Sequence, residues 1–430
     1  MNKQEIFDLC EKFTKKEKVQ FIYSDVQKEY ININIFDIDK TEVTENRSLN
    51  IKIIVNGQTA KTSISKINKK EIENAIKTAK KIAKFKNNIK IKDFGSDRSN
   101  KKIIFDKKIK EFNLSNLVPE LKENIYKQKY VKSYMGGINK FSSNSFYINP
   151  HTSYELERHS IEVAGIINTK NKKDSSAYHE EQFTRLEDIN ITKVFDQARL
   201  NAFNLIDPTQ GKKDEYIIVF TPDMTRSLLN KFVIAGTQGD SIQKKKSYLH
   251  NYIGKKVYSK NLTLIEEPNI DYFTGSRVID NEGFKTKPKS IIKDGIFKKA
   301  IYNQEDAIRY KIKPTGNGLS GDTYHTNILQ KPGSKSINKI IEKIEKGILV
   351  YQILGLHTSN LTSGEFTSTI SSGVEINKGK LGKAITNLNF TGNMKDIFKN
   401  VYFSKEQKFF GDSLYSFSIV PKVKLIWFSF

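Results

Sequence analysis

Asp207 to Glu215, DPTQGKKDE, is the stretch that most limits how this chain can fold. Pro208 lacks a backbone N–H and must close the helix outlined by Val194, Phe195, Ala198, Ala202, Phe203 and Leu205. Gly211 and a run of charges follow, and then the apolar run YIIVF restarts regular structure as a strand. Punctuation of this kind near the middle of 430 residues divides the chain into an N-terminal domain over 1–208 and a C-terminal domain over 213–430. With 37% hydrophobic residues, 27 Phe and 19 Tyr, both halves have the apolar material for a core.

In the first half, Ile31, Ile33 and Ile35 alternate with polar residues, as do Leu49, Ile51, Ile53 and Val55, the period of a half-buried strand. An Asn56-Gly57 turn follows, then Asn68 and Glu71 at capping-box spacing. Ile72, Ala75, Ile76, Ala79, Ile82 and Ala83 form one apolar helical face, so this part is predicted to be an α/β unit. The polar segment Asn87 to Lys102 reads as a connection and allows a split into two subdomains near 90–108. Helical material around Leu114 to Tyr126 and strands from about Tyr130 to Asp188 complete this half, with no internal repeat visible. Beyond 213, Thr221 and Pro222 open a helix with Leu228, Leu229, Phe232 and Val233 on its apolar side. Short strands joined by DNEG, KDG and NKGK turns follow, the pattern of an antiparallel sheet. The expected fold class is α+β: an N-terminal α/β portion, then a C-terminal portion on a large, mostly antiparallel β-sheet with flanking helices.

The opening MNKQEIFDLCEKF mixes charges with helically spaced apolar residues and is not a signal peptide. The longest apolar run, Gly347 to Leu356, falls well short of the ~20 residues of a membrane helix. A cytoplasmic protein with no membrane partner is the expectation. Cys10 stands alone, which rules out an intramolecular disulfide and suits a small hydrophobe in the first helix. A net charge of +24 invites a nucleic-acid reading, yet the 72 basic residues comprise 8 Arg and 64 Lys spread along the whole chain. Specific recognition of phosphate and bases favours the planar Arg fork, so the composition argues against nucleic acid as the principal partner.

Chemistry has few footholds. His179-Glu180 begins like a zinc helix, but HEEQF places Phe183 where the second imidazole belongs. His151 and His159 lack ligand spacing, and His250 and His325 stand apart from other candidate ligands. No G-x-S-x-G, phosphate-binding glycine loop or cysteine nucleophile is present. What stands out is Leu354 to Lys380, rich in Ser, Thr and Gly in a chain crowded with lysine. Gly355, Gly364 and Gly373 permit turns and close backbone approach, and TSTIS alternates like a strand. A peptide could add to such a strand edge through main-chain bonds; a loop and strand needed only for folding is the alternative.

Gly347 to Lys380, followed by ITNLNFTGNMKDIFKNV, resembles the C-terminal signature of the TldD/PmbA (TldE) proteins. Pro314-Thr315-Gly316-Asn317-Gly318, Thr326-Asn327 with Leu329, Pro332 and Gly333, and the hairpin IIKDGIF from Ile291 to Phe297 are similar to further elements of that family, in the same order. The likeness runs from about Glu215 to Asn400. It implies metallopeptidase chemistry, in which an HExxxH helix and a C-terminal cysteine hold a zinc that polarises the scissile carbonyl and activates water. Here the HExxxH positions fall approximately on Asn230, Lys231 and Ala235, and Gly411 to Pro421 contains no cysteine.

The chain thus resembles the TldE/PmbA type. That resemblance implies no catalytic residue, no metal and no cofactor in this chain, with zinc in a TldD-like partner. It also implies a heterodimer whose joint cavity admits unfolded peptide. His357, Thr358, Asn360, Thr362, Gly364, Glu365 and Phe366 are the expected peptide-binding, cavity-lining residues. Two alternatives stay open: a self-sufficient homodimeric peptidase using His325 or His357 with Glu365 at an atypical site, and a nucleic-acid-associated modulator exploiting the basic charge.

Overall fold

A computed structural model of the chain describes residues 1–85, 89–319 and 321–426. Residues 87 and 88 of the connection expected over Asn87 to Lys102 lie outside that description.

The first half is built on six strands: β1 (Val19–Ile35), β2 (Asp37–Val55), β3 (Gln58–Ile64), β4 (Val131–Ile148), β5 (Ser153–Lys170) and β6 (Asp174–Phe183). They form one sheet in the order β3-β2-β1-β4-β5-β6, every neighbouring pair antiparallel. The expected α/β portion therefore takes the form of two meanders joined back to back at β1 and β4. Each is followed by a helix, Lys69–Ala83 after β3 and Ile191–Asn204 after β6.

This is a structural repeat, which the sequence does not display. Phe21 and Ile33 of β1 are matched by Phe146 and Tyr134 at the ends of β4, all four buried. Phe21 and Phe146 pack beneath helix Lys69–Ala83, while Ile33 and Tyr134 pack with helix Ile191–Asn204. The halves conserve geometry and apolar bulk but not residue identity, which hides the repeat from a reading by residue type. Ile72, Ala75, Ile76, Ala79 and Ala83 are buried as the periodicity requires. Ile82 is instead exposed, because at ~100° per residue it falls on the outer edge of that face, beyond Ala75.

The second half adds β7 (Thr209–Gln210), β8 (Asp214–Phe220), β9 (Leu264–Glu266), β10 (Lys289–Lys293), β11 (Ile296–Phe297), β12 (Gly318–Leu319), β13 (Asp322–Thr323), β14 (Ile328–Gln330), β15 (Lys346–Leu354), β16 (Glu365–Asn377), β17 (Lys380–Thr386), β18 (Leu388–Asn393), β19 (Tyr402–Phe409) and β20 (Ser413–Leu425). All but the β12-β13 hairpin join one sheet in the order β11-β10-β9-β14-β20-β8-β15-β16-β17-β7, with β18 beside β16 and β19 beside β20. Most pairs are antiparallel; β14-β20, β8-β15 and β7-β17 are parallel. The turns Asn56-Gly57, Asp294-Gly295 and Lys378-Gly379 have positive φ at both residues, the geometry that tight hairpins demand.

One expectation is corrected. β16 carries the TSTIS run and is an interior strand, paired with β15 on one side and with β18 and β17 on the other. From Thr369 onward the strand is paired on both sides and offers no edge for a peptide strand, whereas Thr367 and Ser368 pair with β18 alone.

The two halves are tied together. Residues 91–104 run as a strap over the second half: Gly95 N–H donates to Glu282 O (2.9 Å) and Tyr272 N–H to Ile104 O (2.9 Å). A Cβ on Gly95 would sit 2.5 Å from the Gly283 carbonyl carbon, so the crossing needs glycine. Even-numbered residues of β1 and β2 face the second half, where buried Lys52 meets Glu282 at 3.2 Å and Gln20 donates to Asn281 O at 2.9 Å. No helix among the described residues is long and apolar enough to cross a membrane.

Candidate functional site

Helix Pro222–Leu228 continues into a π-helical turn, Leu229–Ile234, in which the amide of Ala235 reaches back to the Asn230 carbonyl. A π turn widens the helix so that residues five apart stack on one face. Asn230 and Ala235 consequently share a wall of one cavity of about 220 Å³. Tyr324, His325 and Thr326 form a second wall, and Asp412, Ser413 and Tyr415 at the start of β20 a third. Buried Tyr415 donates its hydroxyl to Asn230 Oδ1 at 2.7 Å, fixing the amide, and burial pushes this phenol far above its ordinary value.

Behind the cavity lies a polar cluster whose charged groups are all partnered. Glu266, at the end of β9, is wholly buried. It accepts from Asn317 Nδ2 (2.7 Å) and from Thr326 N and Oγ1 (both 2.9 Å), and lies 3.3 Å from both His325 Nδ1 and Lys289 Nζ. Burial alone would raise its carboxyl. Hydrogen bonding and charge from His325, with the Lys289 charge and the Thr326 amide, outweigh that and hold it at about 2. His325 Nε2 pairs with Thr237 Oγ1 at 2.9 Å, so both ring nitrogens have partners.

This cluster gives the family-like motifs a physical role. Asn317 also donates to Tyr324 O (3.0 Å), and Asn327 ties Glu267 O to Ser276 Oγ (2.7 Å each). Gly318 N–H donates to Asp280 Oδ2 at 2.8 Å. Burial and the neighbouring Glu282 carboxylate push Asp280 up to about 7, against the backbone amides of Phe284, Gly318 and Glu282. The PTGNG and TN segments thus clamp the loops that shape the cavity wall. Glu266, Lys289 and Asp280 escaped the sequence reading, since a charged residue in a short strand or loop carries no local sign that the fold buries it.

The seven residues expected to hold peptide lie on and beside the loop that leads into β16. His357 and Thr358 are exposed on the short helical turn Leu356–Thr358; Asn360, Thr362 and Glu365 are also exposed, and Gly364 is buried at φ 78°. Phe366 is buried in the core, its ring 5.6 Å from that of Phe232 on the π turn. Thr362 Oγ1 donates to Lys246 O at 3.2 Å, so the loop leans on the segment that follows the π turn. None of the seven lines the Asn230 cavity.

Residues 213–426 match the PmbA/TldA metallopeptidase C-terminal domain. The chain belongs to the TldD/PmbA family. A Haemophilus influenzae protein named a metalloprotease PmbA homolog is 21% identical over 385 residues, covering 86% of this chain and 83% of that protein. A metalloprotease of Methanothermobacter thermautotrophicus is 25% identical over 224 residues, 51% of this chain and 49% of its own length, so this chain aligns with about half of that relative. The crystal structure of TldE from Thermococcus kodakarensis superposes with a TM-score of 0.85 over 98% of this chain and 99% of that one, at 19% identity. At that identity the likeness establishes the fold, an α+β TldD/TldE architecture.

Proposed function

We propose that this TldD/PmbA-family chain is the peptide-holding, non-zinc-binding subunit of a TldD/TldE-type metallopeptidase, with the chemistry in a TldD-like partner. The observation that carries the reading is the donor set on the π turn. Zinc needs three or four nitrogen, sulfur or carboxylate ligands. Ala235 has no donor atom, Lys231 is a cation and the Asn230 amide oxygen is engaged by Tyr415. Both His325 nitrogens are likewise taken, and Asp412 lies 3.7 Å from Arg226. These residues do not fit a zinc ion, and no catalytic step through one is assigned to this chain. Its own contribution is binding: a shaped cavity bordered by a fixed amide and by the hydroxyls of Thr323, Tyr324 and Ser413.

Affinity capture of the full chain from extracts of its own cells tests this. The expected result is co-capture of a relative carrying HExxxH, with zinc stoichiometric to that relative and hydrolysis of unfolded peptide by the pair alone. Chelator-sensitive hydrolysis by the purified single chain would overturn it.

A further inference from the structure

A second cleft, of about 200 Å³, opens between the face of the N-terminal sheet that looks toward the second half and that half itself. Ser24, Ser143 and Ser145 line one side, Ile279 and Leu319 the other, and Arg158 and Arg277 both project into it. Both arginines are half-buried, and burial depresses the affinity of each for its proton. Desolvation first, and then the Arg277 charge, pull Arg158 down to about 9.

Their hydrogen bonding is incomplete. Among the described residues one side-chain donor is engaged, Arg158 Nη2 to Ser276 O at 3.2 Å, while Nε of both arginines is buried without a protein partner. The nearest acids are committed elsewhere: Asp280 to three backbone amides, Glu266 to His325, Lys289, Asn317 and Thr326. Neither makes an ion pair with Arg277. Asp280 and Glu266 attract Arg277 without pairing with it, so two like charges in a poorly solvated cleft keep unsatisfied donors that an anion would engage.

Composition sharpens the point. In a chain with 8 Arg among 72 basic residues, two line this one cleft. The Arg fork is what a planar oxyanion selects over the lysine point charge. The cleft is also part apolar, through Ile22, Leu156, Ile279 and Leu319, which favours a carboxylate carried on an aliphatic residue over inorganic phosphate.

We propose that Arg158 and Arg277 form a carboxylate-binding site that anchors the C-terminal carboxylate of a peptide. Tyr324 lines the Asn230 cavity and lies in the field of both arginines, so a peptide anchored at its end would run past Tyr324 toward the π turn. The identity of the carboxylate's owner rests on the peptide-holding reading; the need of the arginine pair for an anion does not.

The test is fluorescence anisotropy of the full-length chain with an N-terminally labelled, unstructured peptide ending in leucine, compared with its C-terminally amidated twin. The free acid is expected to bind about tenfold tighter, the scale of a charge-assisted hydrogen-bond pair. Arg158→Gln and Arg277→Gln should each erase the preference. Lys12→Gln, on the helix packed against the opposite face of the sheet, should keep it, which controls for the net charge of +24. Equal binding of acid and amide, a preference surviving both arginine substitutions, or inorganic phosphate competing as strongly as the free acid would each overturn the proposal. A lower melting temperature of Arg277→Gln in anion-free buffer would also overturn it, by making the arginine structural. The readout needs no partner subunit, so its failure leaves the subunit assignment standing, and failed capture of a partner leaves this result intact.

Discussion

Two clusters of buried charge lie close together in this molecule and differ in one respect. Around Glu266 every charge has its complement: Lys289 and His325 face the carboxylate, and Asn317 and Thr326 supply the remaining donors. Arg158 and Arg277 line one cleft, form no ion pair with a carboxylate, and each keep a buried Nε without a protein acceptor. Burying a charge is costly in both places, so a closed cluster is what a scaffold retains and an open one is what a binding site retains. The comparison separates the residues that hold the loops from those that wait for a ligand.

The comparison breaks most easily at Glu266. Glu266→Ala leaves Lys289 and His325 without their acid and should cost about 3–5 kcal/mol in denaturant unfolding followed by circular dichroism. A loss below about 1 kcal/mol would mean that the closed cluster is not structural. The pH profile sharpens the same point, by about 3 kcal/mol for a shift of this size. Glu266 is held near 2 in the fold against an ordinary 4.5, so its contribution is complete above 4.5 and is lost as pH falls from there toward 2. Asp280 acts in the opposite sense: raised to about 7 from an ordinary 3.8, it keeps its proton in the fold where the unfolded chain has released it, so stability declines as pH rises between those values. Glu266→Gln should flatten the acid limb and Asp280→Asn the decline toward neutrality.

The open cluster should respond with the other sign. Arg277→Gln is expected to gain about 1 kcal/mol in buffer without binding anions, because it removes one of two unpaired like charges. Tyr415→Phe, which frees the Asn230 amide, should cost about 1 kcal/mol. His357→Ala and Glu365→Ala alter exposed side chains and should change stability by less than about 0.5 kcal/mol. Any larger effect on peptide binding would restore the Ser/Thr/Gly loop as a contact surface.

Much of the scaffold was legible from the sequence, for local reasons. The alternation of Leu49, Ile51 and Ile53 gave a strand, the Asn68 cap gave a helix start, and the glycines at 57, 295 and 379 gave hairpin turns. Each is a rule about residues a few positions apart. The back-to-back meanders were not legible, because the two halves share strand order and apolar bulk rather than residue identity. TSTIS looked like an available edge because alternation reports that one face of a strand is buried, not whether its two sides are paired. Of the candidate site, the ligand-poor positions Asn230, Lys231 and Ala235 could be read from the resemblance, whereas the cavity they border could not.

The sequence by itself determined the class of elements, the end of the helix ahead of Pro208, the family-like motifs and the absence of a donor at Ala235, since an alanine side chain cannot ligate in any fold. Only the tertiary structure decided that Glu266 meets Lys289 and His325 and that Arg158 confronts Arg277. Strand register and the docking of one half on the other bring those groups together from distant positions. Local spacing carries no trace of such convergence, because the energy that enforces it is spread over two whole cores rather than over the residues that meet.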